Sequence, residues 1–109
     1  MEQSESIPDL LTQIQGWHFD RNLVAGSTDK DQLAKLIQEV GELSDNICKG
    51  QDVSDDIGDI IVVLVNIALR NQVSIRYCMN RAWNDIKDRK GVMVDGVFVK
   101  ESDSRLSIG

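Results

Sequence analysis

Apolar positions recur at helical spacing along four stretches of this chain, and at strand spacing along one. Pro8 suits the first turn of a helix, and Leu10, Leu11, Ile14, Trp17, His18 and Leu23 repeat at that spacing, predicting a first helix that ends near Gly26. Ser27, Thr28 and Asp29 offer caps for a second helix over Asp29 to Lys49. Its apolar stripe is Leu33, Leu36, Ile37, Val40, Leu43 and Ile47, and Lys49 and Gly50 give a cationic end and a stop. A third helix, capped by Asp52 or Ser54, runs to about Asn71. Nearly every residue from Ile57 to Leu69 is apolar, yet Asp56, Asp59, Asn66 and Arg70, with Val63 among them, project to one narrow strip. A helix apolar on almost every other side is buried on several sides, so the strip is expected to line something internal, and so much burial in a short chain implies a second subunit. Ser74 can cap a fourth helix carrying Ile75, Met79, Ala82, Trp83 and Ile86 and reaching about Lys90. Asp95-Gly96 between two β-prone runs, Val92-Met93-Val94 and Val97-Phe98-Val99, predicts a hairpin with a tight turn, followed by a polar tail after Lys100 that is expected to be mobile. The expected architecture is all-α, four helices over about 8–90 and a short hairpin over about 92–99, in a single domain.

Two acidic cassettes of one form interrupt this pattern: Glu39-Val40-Gly41-Glu42 and Asp56-Ile57-Gly58-Asp59. Residues three apart share a helix face, so each cassette points two carboxylates the same way, and a reversing turn between the helices brings the cassettes together. Glu39 and Glu42 fall beside the apolar stripe of the second helix, with Asn46 near them, at the boundary between core and water. Four converging carboxylates repel one another and are costly to desolvate unless cations neutralise them, and hard oxygen ligands suit magnesium, or manganese in its place. Each glycine costs about 1 kcal/mol against alanine inside a helix, which implies close approach of a backbone or a ligand beside the acids.

Composition narrows the picture. One hundred and nine residues suffice for one domain, and a single proline with 5% aromatics fits a helical architecture better than a sandwich of short strands. A formal net charge of -6 argues against a general nucleic-acid or anionic-membrane surface, while leaving a small anionic ligand open through bridging metal. No stretch reaches membrane-spanning length, and Met1-Glu2-Gln3-Ser4-Glu5 does not begin a basic and then apolar leader, so the chain reads as cytoplasmic. Cys48 and Cys78 lack zinc-type spacing and read as small buried apolar residues in a reducing compartment.

The runs Leu36-Ile37-Gln38-Glu39-Val40-Gly41-Glu42-Leu43 and Asp55-Asp56-Ile57-Gly58-Asp59-Ile60, followed by Val65-Asn66-Ile67-Ala68, resemble the MazG-like, all-α nucleoside triphosphate pyrophosphohydrolases over about residues 10–90. The resemblance implies a four-helix bundle of that type. It implies hydrolysis of nucleoside triphosphates, often deoxynucleotides, to the monophosphate and pyrophosphate, with magnesium held by an ExxE pair, here Glu39 and Glu42, and an ExxD pair, here Asp56 and Asp59. Gln38 stands where the family usually has glutamate, and Asp56 is one methylene shorter than the usual glutamate. The resemblance also implies phosphate contacts from the last helix, for which Asn80, Asn84, Lys87 and Arg89 are candidates, and assembly as a homodimer or homotetramer. Trp17, with His18 and Arg21 nearby, either fills the core or borders the space above the carboxylates, where its face could stack on a base, and is expected at the edge of the pocket. His18 reads as a structural or surface residue. Glu39 or Glu42 is the expected group to position the attacking water or take its proton. Two rivals remain: a helical interaction module whose acids bind structural divalent metal or solvate the surface, and a phosphohydrolase acting on another pyrophosphate bond, such as those of histidine biosynthesis intermediates.

Overall fold

Side chains at the N-termini set where the first two helices begin. In the computed structural model, which describes residues 5–101, Ser6 accepts from the Asp9 amide at 3.2 Å and starts α1, Ile7–Asp20, with Pro8 in its first turn. Thr28 starts α2, Asp29–Cys48, through a reciprocal capping box with Asp31, the two bonds measuring 3.1 and 3.0 Å. Asp52, just ahead of α3 (Ser54–Arg70), accepts from the amide and hydroxyl of Ser54, and the hydroxyl bond above all holds its carboxyl below the ordinary range. The fourth helix, α4, spans Ile75–Ile86, and two strands follow, β1 (Gly91–Val94) and β2 (Val97–Lys100). The protein is thus mostly helical with one small antiparallel hairpin. The residues before Glu5 and the polar tail beyond Glu101 lie outside the described residues.

Two helices stop earlier than their sequence pattern suggests. The chain leaves α1 at Asp20, where the Leu23 amide turns back to the His18 carbonyl at 2.9 Å and Asn22 adopts a left-handed φ of 56°. Asparagine is among the few non-glycine residues that tolerate this conformation. α4 ends at Ile86, four residues before Lys90. Gly91 is the first residue of β1, packed so closely on the Val99 carbonyl that an added Cβ would lie 2.1 Å from it. The hairpin turn itself is Asp95-Gly96, with φ of 50° and 81°, the left-handed pair that a two-residue primed turn requires.

The chain divides into two compact units, one through Ile75 and one from Arg76. In the first, α1 and α2 both pack on α3. Asn46 donates to Asp56 at 2.8 Å near the connecting turn, and Arg70 donates to Asp29 at 2.8 Å at the opposite end, so α2 and α3 run antiparallel. The contact with α1 centres on Asn66, which is fully buried. Its amide nitrogen donates to the Leu23 carbonyl at 2.8 Å and to His18 Nδ1 at 3.2 Å. His18 Nε2 lies 2.8 Å from the Val62 carbonyl, which can only accept, so Nε2 carries the proton and Nδ1 is the acceptor. The expectation that the polar strip of α3 faces inward is met: Asp56, Val63 and Asn66 are buried. In the second unit, β1 and β2 pair in register from Gly91 with Lys100 to Val94 with Val97, and Val99 is buried.

Two other expectations are corrected. The apolar stripe of α2 does not form the core as a whole: Leu36 and Leu43 are half-buried and Glu39 is buried, whereas Leu33, Ile37, Val40 and Ile47 are exposed. Only one side of α2 meets α3, and the hydrogen bond from Asn46 to Asp56 orients that side. Both cysteines, read as buried, are free and exposed.

Asn66→Ala removes two hydrogen bonds and leaves the buried acceptors of Leu23 and His18 without donors. It is expected to destabilise the fold by about 2–4 kcal/mol, measured by denaturant unfolding.

Candidate functional site

The antiparallel pairing of α2 and α3 fixes where the two acidic cassettes meet. Glu39 and Glu42 sit past the middle of α2, Asp56 and Asp59 in the first turns of α3, and the short turn between the helices sets them side by side. Glu39 and Asp56 are only 5% and 6% exposed, Asp59 is half-buried and Glu42 is exposed. Partial burial, and then the charges of Asp55, Glu39, Asp56 and Glu42, push the Asp59 carboxyl above its ordinary value of 3.8. All four cassette acids therefore share one electrostatic neighbourhood.

Their individual partners differ. Glu39 Oε1 pairs with Lys35 Nζ at 3.1 Å, Asp56 accepts from Asn46, and Glu42 accepts from Gln38 at 3.4 Å. Gln38 thus binds one of the acids. Glu39 Oε2 is buried with no hydrogen-bond partner. Lys35 compensates the charge of that carboxylate, so what Oε2 lacks is a hydrogen bond. With the side chains so engaged, no three His, Cys, Asp or Glu among the described residues are gathered closely enough to hold a metal ion. The orphan oxygen of Glu39 and the charge crowding at Asp59 nonetheless fit a divalent cation, which would relieve both.

Beside the acids, α1 and α3 enclose a cleft of about 460 Å³ lined by Leu10, Gln13, Ile14, Trp17, Asp59 and Val62. The α1 residues recur at helical spacing, and the contact of His18 with Val62 and Asn66 turns that face of α1 toward α3. Trp17 is 44% exposed, so it borders the cleft rather than filling the core. Its ring meets that of His18 edge-on at 5.2 Å and carries the Arg21 guanidinium 4.6 Å above it. Asp59 belongs to both features, the acidic cluster and the wall of the aromatic cleft. His18 is buried and structural, as read from the sequence.

The remaining candidates lie in the second unit. Asn80 and Asn84 are exposed on α4, one turn apart, and Lys87 follows the helix end. Arg89 is paired with Asp85 at 2.8 Å and joins Asp85, Asp88, Lys90, Lys100 and Glu101 around an open cleft of about 630 Å³. Asn66, which positions the cleft, was read from the sequence as part of the inward strip. The role of Asn46 as partner to Asp56 had no signal beyond its place near Glu39 and Glu42.

No family model matches the chain, and no solved structure matches it. It is similar to an uncharacterised 18.2 kDa protein from the rep–hol intergenic region of Haemophilus phage HP1, with 39% identity over 69 residues. That match takes in 62% of this chain and 42% of the relative, so the chain spans less than half of the relative's length. No single described helix is long and apolar enough to cross a membrane.

Because its folded-state pKa is raised, the neutral form of Asp59 favours folding. That contribution is full below 3.8 and is lost as pH rises through the folded value, so the charged group costs stability near neutrality. Asp59→Asn is therefore expected to raise Tm at pH 7, and the gain should shrink as pH falls into the carboxylate range. Thermal melts of both proteins across that range check this.

Proposed function

We propose that the chain hydrolyses nucleoside triphosphates between the α and β phosphates, releasing the monophosphate and pyrophosphate. One observation carries this reading: Asp59 joins a cluster of acids that a divalent cation would neutralise to an apolar cleft walled by an aromatic ring. A nucleotide has those two halves, a polyphosphate that travels with divalent metal and a flat base. The resemblance of the two cassettes to the MazG-like type points the same way.

Magnesium, or manganese in its place, held by Glu39, Glu42, Asp56 and Asp59 would offset the phosphate charge and lower the pKa of a bound water. Glu39 Oε2 lacks any hydrogen-bond partner, which supports its role as the acceptor that would take a proton from an attacking water. Glu42, more exposed, would orient that water. Trp17 would stack on the base, with Arg21 on its ring raising its electrostatic match to an electron-rich partner.

Pyrophosphate release from a panel of ribo- and deoxynucleoside triphosphates, with and without magnesium, tests the proposal; absence of release from every member would overturn it. Glu42→Gln is expected to fold normally and lose nearly all magnesium-dependent turnover. Magnesium should also raise Tm, and less so in Glu39→Gln, a readout independent of activity. Trp17→Ala is expected to raise KM about tenfold or more with little change in Tm, since stacking on a base contributes on the order of 1–3 kcal/mol.

A further inference from the structure

Three ion pairs among the described residues join side chains four apart on one helix: Asp45 with Lys49, Asp85 with Arg89, and Lys35 with Glu39. The first two place the acid before the base, the order a helix favours, and their acid side chains are 61% and 73% exposed. They are surface pairs of the kind that adds little. Lys35 with Glu39 differs in both respects. The base comes first, and the acid side chain is only 7% exposed while that of Lys35 is 51% exposed. A solvated ammonium thus lies 3.1 Å from a carboxylate that the fold has taken out of water. Lys35 does not neutralise the acidic cassettes as a group. It pairs with Glu39 Oε1, whereas Oε2 has no partner, Asp56 has the neutral amide of Asn46, and Glu42 has that of Gln38. Beyond partial burial, the charges that raise the Asp59 pKa are all those of other acids.

We infer that Lys35 is a displaceable counter-cation: its ammonium and a divalent cation compete for the Glu39 carboxylate, so Lys35 sets how tightly the two cassettes take metal. The chemistry of both partners favours displacement. An ammonium is a compact, strongly hydrated charge on a flexible four-carbon stem, and this one, half exposed, regains water when it leaves. The buried carboxylate cannot follow it, and a buried acid that loses its partner is strongly destabilising unless another cation takes the place. A magnesium or manganese ion carries twice the charge and bonds several carboxylate oxygens at once, while the ammonium of Lys35 serves Glu39. The orphan Oε2 of Glu39 gives such an ion a further acceptor that Lys35 leaves unused. The inference rests on the metal half of the hydrolytic reading, and pyrophosphate release has no part in its test.

Calorimetric titration of magnesium and of manganese into the chelator-treated full chain, without nucleotide, tests it. Lys35→Met, which removes the charge and keeps a good helix former, is expected to lower the Kd for metal about fivefold or more. Lys35→Arg, which keeps the charge, should not lower it. Lys30→Met removes the same charge nine residues before Glu39, about 13 Å along the helix and beyond the ~8 Å screening length of physiological salt, and should leave the Kd unchanged. An equal or higher Kd in Lys35→Met overturns the inference, as does a fall that Lys30→Met or Lys35→Arg reproduces, or the failure of both wild type and Lys35→Met to bind either metal. A lysine that repels the ion without leaving Glu39 would give the same Kd, so the nitrogen NMR shift of Lys35 Nζ in the wild type is the second readout. It is expected to move to the free-lysine position as metal is added, and a shift unchanged at saturating metal overturns the inference. This readout also decides if Lys35→Met does not fold. Metal binding with displacement of Lys35 but without pyrophosphate release would sink the hydrolytic reading and leave this one standing.

Discussion

The carboxamide of Asn66 is the contact on which the first unit depends. One buried nitrogen satisfies the Leu23 carbonyl and His18 Nδ1, while His18 returns a proton to the Val62 carbonyl. The knot joins the end of α1 and the start of the following turn to one side of α3. A buried amide left unpaired is costly, so the bonds are specific: α1 can neither slide nor rotate against α3 without breaking them. That register sets Trp17 across from Asp59 and makes a cleft of what would otherwise be a seam. Arg70 performs the corresponding task at the far end, tying α3 to Asp29 of α2 and to the Val24 carbonyl.

The interior held by these contacts is unusually polar. Among the described residues of the first unit, the buried ones are Val63, Val65 and Ala68 together with His18, Glu39, Asp56 and Asn66. His18 accepts from the Asn66 amide nitrogen and Asp56 from Asn46, while Asn66 Oδ1 is buried without a hydrogen-bond partner. Glu39 keeps one oxygen without a partner, and Asp59 holds its proton more tightly because of partial burial and then the charges of four other acids. An unpartnered oxygen and crowded charge of this kind lower stability, and their concentration beside an apolar cleft suits a binding site for a charged ligand. A core this small in apolar residues also leaves Leu33, Ile37, Val40 and Ile47 of α2 and Ile57, Ile61 and Leu64 of α3 exposed.

Much of the fold was legible in the residues because its determinants are local. The capping box of Thr28 and Asp31, Pro8 in the first turn of α1, and Asp95-Gly96 at the hairpin act within a few residues of themselves, and each element begins or turns where these signals stand. The antiparallel pairing of α2 and α3 was legible too, since the turn between them is short. The end of α1 was not, for the left-handed Asn22 competes with an apolar period that continues to Leu23.

By itself, then, the sequence determined the helices, the hairpin and the reversal between α2 and α3, all consequences of chain-local geometry. Tertiary structure decided which side of each helix is inside. Leu33, Ile37, Val40 and Ile47 have the same apolar character as Leu36 and Leu43, and only the position of α3 separates the exposed set from the half-buried one. It likewise turned Glu39 inward, left Cys48 and Cys78 at the surface, and made Trp17 the rim of a cleft. The reason is that burial is a property of pairs of elements: hydrophobic periodicity gives a helix its faces, but hydrogen bonds between side chains far apart in the chain, here Asn66 with His18 and Asn46 with Asp56, choose which face is covered.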